Sequence, residues 1–298
     1  MTDSALPGLE PPYQVSGEAS SPASALVFDS PHSWRDWPVD GPPIVASQDA
    51  LLTSWDAWVD EIWTAAVDGR APVMSARFHR AYIDANRARD DIDARMLAAP
   101  WTAATRPSEK SQRGFGLLRR HVLPEVPLYG HLLPIDDVAG RIRHCYDPYH
   151  AKVASLIDAA RAHNDVAVHI NCHSMKSIGN AMNDDAGMSR PDLVVSDLDG
   201  ASADPSLTRW VAARLGELGY QVCINHPYRG GELIRRHANP AQGHHSLQIE
   251  INRALYMNER TFERTPGFAR LVADLKTFVG QLQHALDSAL APRWLPPR

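Results

Sequence analysis

The chain of 298 residues has only three cysteines, Cys145, Cys172 and Cys223. Their scatter excludes a disulfide framework and a paired Cys-x-x-Cys zinc site, so all three read as reduced and mostly buried. No run approaches the roughly 20 apolar residues that a membrane-spanning helix needs, and no membrane partner is expected. The opening residues, MTDSALPGLEPPY, are acidic and proline-rich where a secretory signal would be basic and then apolar, which points to the cytoplasm. Lysine and arginine are not in excess: the formal net charge is −5, which argues against a nucleic-acid partner. The GxGxxG and P-loop patterns of nucleotide sites are missing, as is the G-x-S-x-G elbow of serine hydrolases. No internal repeat occurs.

What is present suits one large domain. With 44% hydrophobic and 22% charged residues, the chain can bury a sizeable core without disulfide staples. Proline-rich ends suggest an N-terminal arm over 1–24 and a C-terminal tail over 293–298, leaving 25–292 as the domain. Short apolar runs alternate with helical patterns, the signature of an α/β fold with a mixed, mainly parallel sheet and helices on both faces. Strands are expected at Ala25–Asp29, Ala81–Asp84, Val166–Ile170, Leu193–Val195, Gln221–Ile224 and Leu247–Ile251. Helices are expected at Ser54–Val67, Pro148–His163, Pro205–Leu218 and Pro266–Leu290. Asp204, Pro205 and Gly219 supply a cap, a first-position proline and a stop for the third.

Open α/β sheets bind ligands beyond the carboxyl ends of their strands. His32 and His173, two of 14 histidines, follow apolar strands in SPHS and NCHS, where an imidazole could point into a cleft. Most histidines are surface or satisfied core residues, so position rather than type singles these two out. A catalytic zinc site commonly needs three nitrogen or oxygen ligands, hence one carboxylate more. Asp56, at the start of a helix, and Asp60, one turn on, both qualify, and both could equally be N-terminal helix acids that complement the dipole. Alternation in SLQIEIN sends Leu247, Ile249 and Ile251 to one face and Gln248, Glu250 and Asn252 to the other, so Glu250 lines either a solvated face or a site. Arg229, before two glycines, suits a carboxylate clamp, and Asn86 with Arg87 forms a second polar pair beyond a strand.

In order along the chain, SPHS at Ser30–Ser33, the Asp56 helix start, RAYIDANR at Arg80–Arg87, CHSM at Cys172–Met175, DGASAD at Asp199–Asp204 and the long segment Asn225–Met257 resemble the N-formylglutamate amidohydrolase family. That family is related to zinc carboxypeptidase and aspartoacylase hydrolases, so the resemblance implies a zinc-carboxypeptidase-like fold. It implies that His32, Asp56 and His173 hold one Zn2+ or another divalent metal and that Glu250 is the general base. Asp56 is preferred to Asp60 because it matches the family's carboxylate. The resemblance makes Asn86, Arg87 and Arg229 ligands of the substrate carboxylate, with either Arg87 or Arg229 open to the oxyanion role instead, and Arg119 and His237 further substrate contacts. It implies hydrolysis of an N-acyl amino acid, foremost N-formyl-L-glutamate to formate and glutamate. Alternatives are a zinc deacylase or peptidase on another N-acyl amino acid, or a catalytically silent binding protein. Three departures stand out. Trp34 replaces a common glycine and is expected to reshape the acyl pocket, Arg229 stands where lysine is frequent, and Asn171 stands where relatives often have aspartate. Oligomeric state leaves no mark in the sequence.

Overall fold

The computed structural model describes residues 10–17, 24–180, 185–288 and 294. Its main sheet uses seven strands: β1 (Tyr13–Ser16), β2 (Leu26–Ser30), β3 (Val73–Ala76), β6 (Ala167–Met175), β7 (Leu193–Ser196), β8 (Val222–Ile224) and β9 (His244–Asn252). β4 (His121–Leu123) and β5 (Val126–Pro127) pair separately. In the order β1-β3-β2-β6-β9-β7-β8, only the β1–β3 and β9–β7 pairs are antiparallel. The expected α/β fold with a mixed, mainly parallel sheet is therefore the fold observed.

Period-two alternation builds two cores, one on each face of this sheet. Leu26, Phe28, Val168, Ile170, Leu247, Ile249 and Ile251 face one way, against α2 (Val59–Val67), α6 (Pro205–Glu217) and α8 (Gly267–Asp287). Val27, Met74 and Ala167 face the other, against α4 (Ile135–Arg141), α5 (Asp147–Asn164) and α7 (Glu232–His237). The short helix α1 (Gln48–Leu52) adds Ala50 and Leu51 to the second core, and α3 (Glu109–Gln112) is a further short helix. Toward their carboxyl ends the central strands change character on that second face, which carries Asp29, Asn171, His173, Gln248 and Glu250, all buried. One face is mainly apolar, and the other trades its core for a site.

Several expected elements differ. Ala81–Asp84 forms no strand: Ala81 and Ile83 are buried in alternation, but the amides of Tyr82 and Ile83 turn back to the His79 carbonyl. The missing strand is β3, nearer the N-terminus. The helix expected from Ser54 begins only at Val59, because Trp58 takes a left-handed φ of 65° that a continuous helix excludes. Asp56 thus lies in the loop before α2 and not in its first turn. His173 lies inside β6, which runs on to Met175, and not beyond its end. The α6 expectation holds: Asp204 accepts from the Ser206 amide, Pro205 opens the helix, and Gly219 follows it at φ 96°. Within the expected arm, Tyr13–Ser16 forms an edge strand, and Trp294, in the expected tail, is 3% exposed. Leu290 lies outside the described residues.

Candidate metal centre and active site

Register places the chemistry. Across the parallel pair β6–β9, His173 stands opposite Glu250 and Asn171 opposite Gln248, while Asn171 also faces Asp29 on β2. His32 arrives from the turn after β2. Asp56 comes from the loop ahead of α2, which is tied to the His32 turn by three bonds. The Asp56 amide donates to the His32 carbonyl at 3.0 Å, the Ser33 hydroxyl to the Asp56 carbonyl at 3.2 Å, and the Trp55 indole to the Ser33 carbonyl at 2.6 Å.

His32, Asp56 and His173 are each at most 2% exposed, and one ligand atom from each lies within 4.8 Å of the others. Which imidazole nitrogen faces the centre follows from the outer partners. His32 Nε2 is 2.7 Å from Asp84 Oδ1, and His173 Nε2 is 2.7 Å from Asn171 Oδ1. Both oxygens can only accept, so both Nε2 atoms carry a proton, and in the neutral imidazoles each Nδ1 carries a lone pair. Asn86 Nδ2 also lies 3.1 Å from His173 Nε2, but at the longer distance and with Gln248 as its own acceptor. The two Nδ1 lone pairs converge on Asp56 Oδ2, 3.5 Å from His32 Nδ1 and 3.1 Å from His173 Nδ1. His32 Nδ1 is buried without a hydrogen-bond partner. Three acceptors around one point, one of them orphaned, fit a cation.

Asp56 and Asp84 are held ionised. Burial alone would raise Asp56, but His173 and His32 hold it well below the usual carboxylate range. Its other oxygen accepts from Arg253 at 3.0 Å, which leaves Oδ2 for the cluster. Asp84 is likewise pulled well down against its burial, chiefly by Arg80, whose Nη2 donates to it at 2.9 Å. Burial, with Arg80 nearby, depresses His32 and keeps it neutral. His173 is raised, burial being outweighed by Asp56 and Glu250. Glu250, 8% exposed, is pushed upward by burial, and Gln248 donates to its Oε1 at 2.9 Å.

A cavity of about 260 Å³ opens over these groups, lined among others by His32, Asp56, His173, Glu250, Asn86, Arg87, Arg119 and Lys110. Arg119 is 7% exposed; burial and Arg80 push it down to about 9, and among the described residues it donates to the Ser54 hydroxyl at 2.7 Å and lies 3.9 Å from Asp84. Its Nε has no partner. Among the described residues, Arg87 and Lys110 make no side-chain hydrogen bond or ion pair. Lys110, on the rim, is pushed down to about 8 by the surrounding protein and by Arg87 and Arg80.

Asn86 lines the cavity with its amide engaged. It accepts from the Leu233 amide at 2.9 Å and donates to Gln248 at 3.3 Å. It packs so closely on Gly231 that a Cβ there would lie 2.4 Å from its oxygen. Arg229 is outside the cavity: its carbonyl accepts from Leu198, and its exposed side chain pairs with Asp199 at 3.2 Å. The two glycines after it, rather than its guanidinium, make the close approach. His237 is also elsewhere, hydrogen-bonded to His150 at 2.9 Å behind the sheet's polar row. Trp34 does not line the cavity. Sequence reading missed Asp84, Arg80, Gln248, Lys110 and Arg253; an Arg80–Asp84 spacing of four and the alternation through Gln248 were the available signals.

Two imidazoles and two carboxylates gathered at the strand ends of an α/β sheet, beneath a cationic cavity, define a hydrolase with a metal-fitting site. The N-formylglutamate amidohydrolase family model matches residues 24–257, and the chain belongs to that family. The crystal structure of N-formylglutamate amidohydrolase from Ralstonia eutropha superposes with a TM-score of 0.84 at 35% identity, covering 93% of this chain and 98% of that one. N-formylglutamate deformylases of Pseudomonas putida and Pseudomonas aeruginosa are 27% and 25% identical, each over 70% of this chain and 72% and 73% of their own. Among the described residues, no helix is long and apolar enough to cross a membrane.

Proposed function

We propose that this enzyme hydrolyses N-formyl-L-glutamate to formate and glutamate, with one Zn2+ held by His32 Nδ1, Asp56 Oδ2 and His173 Nδ1. The metal, when bound, supplies Lewis acidity toward the amide carbonyl and acidifies water. Asp84 and Asn171 orient the two imidazoles, and Arg253 holds the spare oxygen of Asp56. Glu250 takes the proton of the attacking water and delivers it to the departing nitrogen; its upward shift brings its basicity closer to that task. Arg87 and Arg119 share two roles, steadying the oxyanion and clamping a substrate carboxylate. Lys110 adds a cation at the rim.

The observation that carries this reading is the presence, in one small cavity, of an acceptor cluster that fits a metal beside two cations, Arg87 and Lys110, that have no carboxylate partner among the described residues, and a third, Arg119, held only 3.9 Å from Asp84. A dicarboxylate amide satisfies both halves. Two relatives bear the name N-formylglutamate deformylase, which supports the same substrate. Formate release from N-formylglutamate, measured against its diamide and against N-acetyl- and N-succinylglutamate, tests it. The formyl diacid is expected to be the best substrate, and equal turnover of the diamide would refute the carboxylate clamp.

A further inference from the structure

We infer that Asp29 is a positioning residue whose carboxylate fixes the amide of Asn171 and, through it, the tautomer of His173. Only the consequence for metal binding rests on the reading above, since the geometry belongs to the protein alone.

Asp29 and Asn171 face one another in register across β2 and β6, and both are 0% exposed. Asp29 Oδ1 accepts from Asn171 Nδ2 at 2.8 Å and from His169 Nε2 at 2.8 Å, and its Oδ2 accepts from the Tyr149 hydroxyl at 2.7 Å. An ionised carboxylate offers no hydrogen, so only the NH2 end of the asparagine can face it. The carbonyl end is thereby turned to His173 Nε2. A flipped amide would set its oxygen against the Asp29 carboxylate and its hydrogens against an Nε2 proton, two repulsions in a site closed to water.

An asparagine has the same shape in either orientation and could hold either tautomer of its neighbour. A second group must choose for it. Asp29 makes that choice, leaving the Nδ1 lone pair of His173 aimed at Asp56 Oδ2. Aspartate at position 171 would accept from His173 by itself, but beside Asp29 it would put two carboxylates in contact where there is now a hydrogen bond. Asp29 and Asn171 are therefore a matched pair, and the rest of the network keeps Asp29 in place: His169 is backed in turn by Ser246 at 3.2 Å.

The test is a charge exchange in the full-length protein. Zn2+ dissociation constants, read by competition with a chromophoric chelator, are measured for wild type, Asp29→Asn, Asn171→Asp and the double variant. Each single change is expected to weaken binding about 10- to 100-fold, and the double to return within about threefold of wild type. In the double variant the amide introduced at position 29 can donate to the carboxylate introduced at position 171, which still accepts from His173. Unchanged binding in Asp29→Asn, or a double variant no better than the singles, overturns the inference. Should a single variant fail to fold, the wild type still decides. Imidazole 15N shifts of the metal-free protein, followed upward in pH until His173 has lost its charge, are expected to show it protonated on Nε2, and the opposite tautomer overturns the inference. A wild type that binds no Zn2+ defeats the metal reading, leaving the tautomer to judge this one separately.

Discussion

Replacing Glu250 by glutamine separates function from stability. The side chain keeps its shape and can still accept from Gln248, whose Nε2 lies 2.9 Å from Oε1. What it loses is basicity. Positioned general bases contribute about 10²- to 10⁴-fold, equal to about 2.7 to 5.4 kcal/mol of barrier, so kcat/KM is expected to fall by at least two decades. Stability should move the other way. Burial raises the Glu250 pKa in the folded chain, with the Asp56 carboxylate adding to the shift. A carboxylate raised on folding costs stability once the pH exceeds its folded value, and the cost vanishes below its unfolded value near 4.5. The metal-free variant should therefore be at least as stable as wild type at pH 7, with no advantage in acid. Steady-state kinetics, metal analysis and thermal melts at both pH values make the comparison. A loss under tenfold with metal retained, or a variant that melts lower at pH 7, refutes the assignment.

His32→Ala and His173→Ala should each remove most of the bound metal, and metal analysis that finds wild-type stoichiometry in either variant rejects that ligand. Asp60, by contrast, is not among the described residues that could hold a metal and is raised to about 6 by burial. Asp60→Asn should stabilise the fold at pH 7 by about 1 to 2 kcal/mol after allowance for partial exposure, with the gain shrinking as the pH falls through 6 and gone below about pH 4; denaturant melts at three pH values check this. Arg87→Lys and Arg119→Lys should each narrow the preference for N-formylglutamate over its diamide by about tenfold or more, since lysine cannot make the paired bonds of a guanidinium. Full preference in both variants would place the clamp elsewhere.

The strands that carry the site were readable because alternation is local. Leu247, Ile249 and Ile251 had to share one face, which sent Gln248 and Glu250 to the other whatever the tertiary structure. The short apolar run through Ala81 and Ile83 misled because such a run can equally be a turn pressed against a core, with no ladder. β3, four residues long and next to Pro72, is too short for its period to stand out. Asp84 and Arg253 look like ordinary surface charges in the sequence, and only convergence with the distant His32 and Asp56 makes buried partners of them, although Arg80 pairs with Asp84 locally at a spacing of four. Arg229 shows the converse. Its glycines do enter the site, but the direction of one side chain on a tight loop depends on the backbone of Leu198 and on Asp199, which no local pattern encodes.

The central claim is that the paired imidazoles and Asp56 hold a metal that this chain uses to cleave N-formyl-L-glutamate. Formate release by chelator-stripped protein, before and after titration with Zn2+, tests it most directly. Stripping should lower the rate by at least about 10²-fold and one equivalent of Zn2+ per chain should restore it, because the carbonyl and the water otherwise lose their electrophilic partner. Stripped protein that releases formate at the full rate, or zinc-loaded protein that releases none, would contradict the account.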